Sequence, residues 1–431
     1  MDKSIIESYP RYESYKDSGV NWLGKIPKDW EVLPIKALGK IKSIVNNQDE
    51  ELLSVYLNKG VIKFNDVDEK RTNATSLNLE KYQLVEKGDF VLNNQQAWRG
   101  SVGVSNYRGI VSPAYLVLGL TSKLDANYAN YMFRDTHMVS QYLISSKGVG
   151  TIQRNLYWDS FKNCSSAIPP IETQSLITKF LDQKIGQIDQ AINLKQQQIE
   201  KLEEYKQIVI QSAVTKGLNS DVPMKDSGVD WLGMIPEHWG MKKGKWLFLK
   251  MDRPVREDDR IVTCFRDGEV TLRSNRRTEG FTNALKEHGY QGVRKGDLVI
   301  HQMDAFAGAI GISDSDGKST PVYSVCTPKD CNEVSVKYYV YLLRGLAYNG
   351  FILSLAKGIR ERSTDFRFKD FSSLELPLPP YKTQLAISEF IEEKIAQINL
   401  VIENNAQQID RLKEYKTVLI NKAVTGKIKV A

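Results

Sequence analysis

The residues best suited to do chemistry crowd into two matching runs. The run NNQQAWR contains Asn93, Asn94, Gln95, Gln96, Trp98 and Arg99, and at the matching place in a second copy of the surrounding sequence stand His301, Gln302, Met303, Asp304 and Phe306. Carboxamides and guanidinium groups offer paired, coplanar hydrogen-bonding groups, the geometry that makes bidentate contacts to the edges of nucleobases. The flanking sequence is shared, YQLVEKGDFVL in one copy and YQGVRKGDLVI in the other, while the tips differ. A common frame with divergent polar tips is what two readers of different base sequences require. The alternative is that these are solvated turn residues.

A second set is rich in basic side chains. Lys147, Thr151, Gln153 and Arg154 lie in KGVGTIQRNLYWDSFKN, and Lys357, Arg360, Arg362, Ser363, Thr364 and Arg367 lie in KGIRERSTDFRFKDFSS. Arg273, Arg276 and Arg277 stand in TLRSNRRTEG. Backbone amides beside Gly, with Lys and Arg, are the groups that hold phosphates. A salt-bridged edge strand is the competing reading of RERSTDFRFK.

The elements that must position these residues also occur twice. Lys87-Gly88-Asp89 and Lys295-Gly296-Asp297 are turn signals between β-branched runs that predict strands. Asp125 to Ser146 and Val334 to Ala356 predict helical pieces, and loops follow them. The phrases KDSGVNWLGKIPKDW (Lys16 to Trp30) and KDSGVDWLGMIPEHW (Lys225 to Trp239) predict docked, extended clips anchored by large apolar side chains.

The longest repeat runs from Pro169 to Thr215 and again from Pro379 to Thr425, with about 22 of 47 positions identical. Each copy opens on Pro-Pro, a free helix start. Apolar residues then recur at spacings of four and three: Leu181, Ile185, Ile188, Ile192, Ile199, Leu202 and Val209, and in the second copy Ile391, Ile395, Ile398, Ile402, Ile409, Leu412 and Leu419. That heptad seam predicts two coiled-coil helices of about 45 residues, each roughly 65 to 70 Å long. The seam breaks at Lys195 and Asn405, polar core residues of the kind that set register. Neither helix buries its stripe alone, so the expectation is an antiparallel pair relating the halves by a pseudo-twofold axis. Two helices packed separately on their own domains are the alternative. Tyr205, Ile208, Tyr415 and Val418 lie off the seam, as contacts either for a partner or for the chain's own domains.

The expected fold class is therefore α+β/α, with two α/β domains (1–168 and 218–378), each followed by a long helix (169–217 and 379–431). The 431 residues, 41% hydrophobic and 26% charged, allow two or three domains with ample core. No apolar run approaches the roughly 18 residues of a membrane span, and the N-terminus is no signal peptide, so the expected location is cytoplasmic, with no membrane partner. Cys164, Cys264, Cys326 and Cys331 lack paired spacing, which argues against zinc and disulfides. A net charge of +7 fits a nucleic-acid partner but is weak by itself.

Enzyme motifs fail on inspection. Gly317 to Thr320 reads GKST, but the phosphate loop it resembles needs a glycine where Ile312 stands, and it is expected in a turn between strands. Leu378 to Tyr381 reads LPPY, whose first residue cannot accept a hydrogen bond from a target amino group. No catalytic residues, metal ligands or cofactor site are expected.

Taken together, WLGKIPKDW and WLGMIPEHW, PPIETQ and PPYKTQ, and EEYKQIVIQSAVTKG and KEYKTVLINKAVTGK resemble the DNA-specificity subunit of a Type I restriction-modification enzyme, over essentially the whole chain from Lys16. The resemblance implies two target-recognition domains, each reading one half of a bipartite site on double-stranded DNA. It further implies that the helices dock two modification (methyltransferase) subunits and that restriction (translocase and nuclease) subunits join them. The chain itself would be non-catalytic. The competing reading is a coiled-coil scaffold with two protein-binding lobes and no DNA role.

Overall fold

A computed structural model of the chain describes residues 8–57, 59–66, 78–149, 153–276, 288–355 and 365–430. It divides into two compact units, one of Met1–Gln196 with Ala406–Ala431 and the other of Gln197–Asn405. Each unit combines one mixed α/β domain with a stretch of each of two long helices, Ile171–Lys216 and Tyr381–Val424.

Each domain is built on a four-stranded antiparallel sheet. In the first unit its order is Gly39–Lys42, Tyr115–Leu120, Phe90–Asn93 and Val102–Val104; in the second it is Phe248–Lys250, Tyr323–Pro328, Leu298–His301 and Ile310–Ile312. The central strands are mostly apolar because both faces are covered. Phe90 and Leu92 enter the main core, where Phe90 stacks on Phe133 at 4.0 Å, while Val91 joins a smaller cluster with Val85, Val111 and Val117. Leu298 and Ile300 divide from Val299 in the same way. Period-two alternation therefore sorts one strand's side chains between two cores.

The Lys-Gly-Asp turns ahead of these strands are closed by their aspartates. Asp89 Oδ2 accepts the Glu86 amide at 2.8 Å and the Lys42 ammonium at 2.7 Å. Asp297 Oδ2 accepts the Arg294 amide at 2.7 Å, and Arg253 pairs with both carboxylate oxygens at 2.5 and 3.0 Å. Gly88 and Gly296 hold φ near +95° and +91°, where a side chain would be strained.

Several local expectations differ from the structure; the second helical piece, for one, is two helices, Val336–Tyr348 and Phe351–Leu355. The first helical piece is two helices, Ala126–Arg134 and Thr136–Ile144, because Asp135 is extended and its carboxylate takes the His137 amide as a helix cap. The stretch from Lys147 is a β-hairpin, Ser146–Val149 against Gln153–Leu156. Gly317–Ser319 is a strand paired with Gln291–Val293, so GKST is part of a sheet.

The clip phrases form hairpins, Tyr15–Asp17 with Lys25–Pro27 and Met224–Asp226 with Met234–Pro236, and they bury Trp30 and Trp239. Each closes over the end of a long helix. Gly426, at φ +70°, leaves room where a Cβ would lie 2.4 Å from Pro27 Cδ, and a Cβ on Gly217 would lie 3.1 Å from Trp239 Cζ2. Buried tyrosines cap the same helix ends: Tyr128 donates to Val424 O at 3.3 Å and Tyr338 to Val214 O at 2.7 Å.

Within each unit the helix stretches run antiparallel. Lys416 Nζ lies 2.8 Å from both Asp189 carboxylate oxygens in the first, and Lys206 Nζ lies 3.3 Å from Asn399 Oδ1 in the second. Leu181, Ile188, Ile391, Ile398, Ile409 and Leu412 are buried, and Ile185, Ile192, Ile199, Leu202, Ile395 and Ile402 are half-buried. Asn405 is buried and Lys195 half-buried. Tyr205 and Ile208 are exposed, while Tyr415 and Val418 are half-buried.

Candidate nucleic-acid interface

In the first unit the strand Phe90–Asn93 delivers Asn93 to the sheet edge opposite Tyr115. A 3-10 turn, Ala97–Arg99, follows, and Gly100 at φ +95° lets the chain double back. Asn93 Oδ1 accepts the Gln95 amide at 3.0 Å, and the Trp98 indole donates to Gln95 O at 3.0 Å, so the tip is rigidified by its own polar groups. Gln95 and Arg99 are exposed; Asn93, Asn94, Gln96 and Trp98 are half-buried.

The hairpin carrying Lys147 and Arg154 is tied to this tip by the Leu156 amide, which donates to Asn94 O at 3.0 Å. The Arg99 and Arg154 guanidinium carbons lie 4.6 and 5.9 Å from the centre of the Trp98 ring, so two cations gather around one aromatic side chain. Lys147 is exposed and lies 5.6 Å from the Tyr157 ring. Beside the tip is a cavity of about 520 Å³ lined by Asn93, Gln95, Gln96, Arg99, Tyr56 and Tyr115. Gln153 sits in the hairpin opposite Val149. Thr151 lies outside the described residues.

The second unit uses the same frame with other side chains. His301 ends its strand opposite Tyr323, a 3-10 turn covers Ala305–Ala307, and Gly308 has φ +90°. The Asp304 amide donates to His301 Nδ1 at 3.1 Å. Burial holds the His301 pKa below its usual value, against the pull of Asp304 and with help from Arg266. The neutral ring is thus the form that accepts this bond. Gln302 is tied down, its side chain donating to Ser324 Oγ at 3.2 Å.

Several of the described cations of this unit are paired with acids. Arg276 lies 2.6 Å from Asp267 and 2.9 Å from Glu269, and its pKa is raised first by the hydrogen bond to Asp267. Arg273 Nε donates to Thr263 Oγ1 at 3.3 Å. Arg367 is 70% exposed and lies 2.5 Å from Asp365. It joins Lys250, Lys369 and Gln302 around a cavity of about 690 Å³. Arg277, Lys357, Arg360, Arg362, Ser363 and Thr364 lie outside the described residues.

One cation at this tip has no repeat signature in the sequence. Arg266, 66% exposed, donates from Nη2 to Asp304 Oδ1 at 2.7 Å and leans over Phe306 at 6.0 Å. Its signal is the following Asp267-Gly268, a hairpin turn between Val262–Cys264 and Val270–Leu272 that brings a charged residue to the sheet edge. Lys250 and Lys369 are equally silent in sequence, since only folding brings them beside Gln302.

Among the described residues no group of three or more His, Cys, Asp or Glu is placed to hold a metal, and no helix is long and apolar enough to cross a membrane.

A family model described as the Type I restriction modification DNA specificity domain matches residues 27–204. The chain is 22% identical to the putative type I restriction enzyme MjaX specificity subunit of Methanocaldococcus jannaschii, with 99% of each chain covered. It is 20% identical to the type I restriction enzyme StySPI specificity subunit of Salmonella potsdam, covering 94% of this chain and 90% of that one. Among solved structures, the HsdS subunit from Thermoanaerobacter tengcongensis is similar at TM-score 0.54 and 14% identity, over 94% of this chain and 98% of that one. A chain from a study of complex assembly and conformational transition of the type I R-M system is similar at TM-score 0.66 and 13% identity, over 93% and 98%.

Proposed function

We propose that the chain is a DNA-specificity subunit of a Type I restriction-modification enzyme, as its likeness to that family supports, and that each of its units reads one half of a bipartite site on double-stranded DNA. One observation carries this reading. The two units repeat a strand, a 3-10 turn and a left-handed glycine, yet they present Asn93, Gln95 and Arg99 in one and His301, Met303 and Ala307 in the other. Matched frames with unlike tips suit two unlike half-sites.

In this reading residues 1–168 and 218–378 are the recognition domains, and 169–217 and 379–431 the helices that dock two modification subunits, with restriction subunits joining them. Tyr205 and Ile208, exposed on the first helix, are offered for that docking. Gln95, Arg99, Arg154 and Lys147 face DNA in the first unit, and Arg367 does so in the second; Lys357, Arg360, Arg362 and Thr364, which lie outside the described residues, are assigned to DNA with it. The chain does no covalent chemistry, needs no cofactor and works in the cytoplasm.

Sequencing the methylome of a host carrying the modification subunit, with and without this gene, tests the proposal. Gain of one split adenine-methylation motif with the gene is the expected outcome. An unchanged methylome, together with DNA affinity that does not respond to salt, would favour a protein-binding scaffold instead.

A further inference from the structure

We propose that Arg266 determines specificity for a guanine in the half-site read by the second unit, with Asp304 as its positioning residue; this rests on the DNA reading above. Three observations support it. Arg266 is 66% exposed, so most of its five N–H donors are open to a ligand. Its Nη2 is held by Asp304 at 2.7 Å, and its guanidinium leans over Phe306 at 6.0 Å, so the fork is oriented before anything binds. The main chain that carries Asp304 is held as well, since its amide donates to His301 Nδ1 at 3.1 Å.

The choice of a base over a phosphate follows from charge. A carboxylate at 2.7 Å offsets the cation's pull on a phosphate and repels it. A guanine edge carries no net charge, and its O6 and N7 accept from an arginine fork, while the cytosine N4 amino group opposite donates to a carboxylate. An Arg-Asp pair therefore presents the pattern complementary to a G·C pair in the major groove. Arg276 does not offer this, since two carboxylates hold it. In the first unit Gln96 stands where Asp304 does here, so the two tips are built to select differently.

The test compares wild type, R266Q, R266K and D304N, each expressed as the full chain with its modification subunit in a host lacking other adenine methylation. Methylated motifs are then read by sequencing. The expected result is that R266Q and R266K both lower the preference for one guanine by about 10- to 100-fold. D304N should weaken preference at the same position by less, and the other half-site and the spacer should stay unchanged. Because Arg266 is exposed, the variants should melt with wild type, and D304N gives an independent reading. Unchanged preference at every position in R266Q and R266K would overturn the proposal. So would a uniform loss of methylation in R266Q that R266K restores, since that marks a phosphate contact. A wild-type chain that directs no split motif would instead refute the DNA reading itself.

Discussion

Gln174 and Asp125 are joined by a hydrogen bond from the Asp125 amide to Gln174 Oε1 at 2.8 Å, and Ser335 and Gln384 repeat it at the same distance in the second unit. The remaining side-chain donors are used as well. Gln174 Nε2 donates to Lys123 O and Pro169 O, each at 2.9 Å, and Gln384 Nε2 to Glu333 O and Pro379 O, each at 2.8 Å. Gln174 and Gln384 are 1% and 0% exposed, so the glutamine of each Pro-Pro motif staples a long helix to its recognition domain.

Removing that staple should be costly. Q384A leaves a buried amide and two carbonyls unpaired, and about 2–4 kcal/mol of stability is expected to go with them. Urea denaturation, with hydrogen exchange to locate the loss around Ser335 and the helix start, checks this. An effect below about 0.5 kcal/mol would show that water replaces the staple.

The two helix ends should respond unequally to alanine. At Gly426 the added Cβ would meet a rigid proline ring at 2.4 Å; at Gly217 it would meet the edge of Trp239 at 3.1 Å, and both glycines have positive φ. G426A is therefore expected to cost at least about 2 kcal/mol, and more than G217A. Protease susceptibility of the adjoining clip gives the comparison.

His301 makes the second unit sensitive to acid. Its folded pKa lies below the unfolded value of about 6.5, with burial the largest cause. Protonation then favours the unfolded chain, so the stability is full above about pH 6.5 and is lost as pH falls from there through the folded pKa. H301N keeps a side-chain acceptor for the Asp304 amide and should show a smaller stability difference between pH 7.5 and 5.5 than wild type. Equal differences would show that other groups dominate.

At the first tip, R99A and Q95A should each change base preference in one half-site by roughly 1–3 kcal/mol and leave the other half-site intact. Motif mapping decides it; a change in both halves would mean that the frame had collapsed.

Much of this was legible in sequence because repeats and periodicity are local properties. The heptad seam gave two helices, the Lys-Gly-Asp turns gave the strands beside them, and the motif phrases gave the family resemblance. The antiparallel register was not legible, since heptads fix a face but leave the level open until Asp189 and Lys416 meet. Chain order also hid the roles of buried polar groups. Gln174 reads as an ordinary helix residue until Asp125, 49 positions away, supplies its donor.

What the sequence by itself determined is the kind of object: two related α/β domains, two long amphipathic helices, and polar tips that differ within a common frame. Composition and spacing suffice for that, because burial patterns and turn chemistry act over a few residues. Only the tertiary structure decided which tip residues are available. It ties Gln302 to Ser324 and His301 to Asp304, neutralises Arg276 between two acids, and brings Arg266 from an unremarked hairpin turn to Asp304 and Phe306 as an oriented, exposed cation. Partners such as Arg266 and Asp304 are distant in sequence, and their pairing exists only once the strands that carry them share an edge.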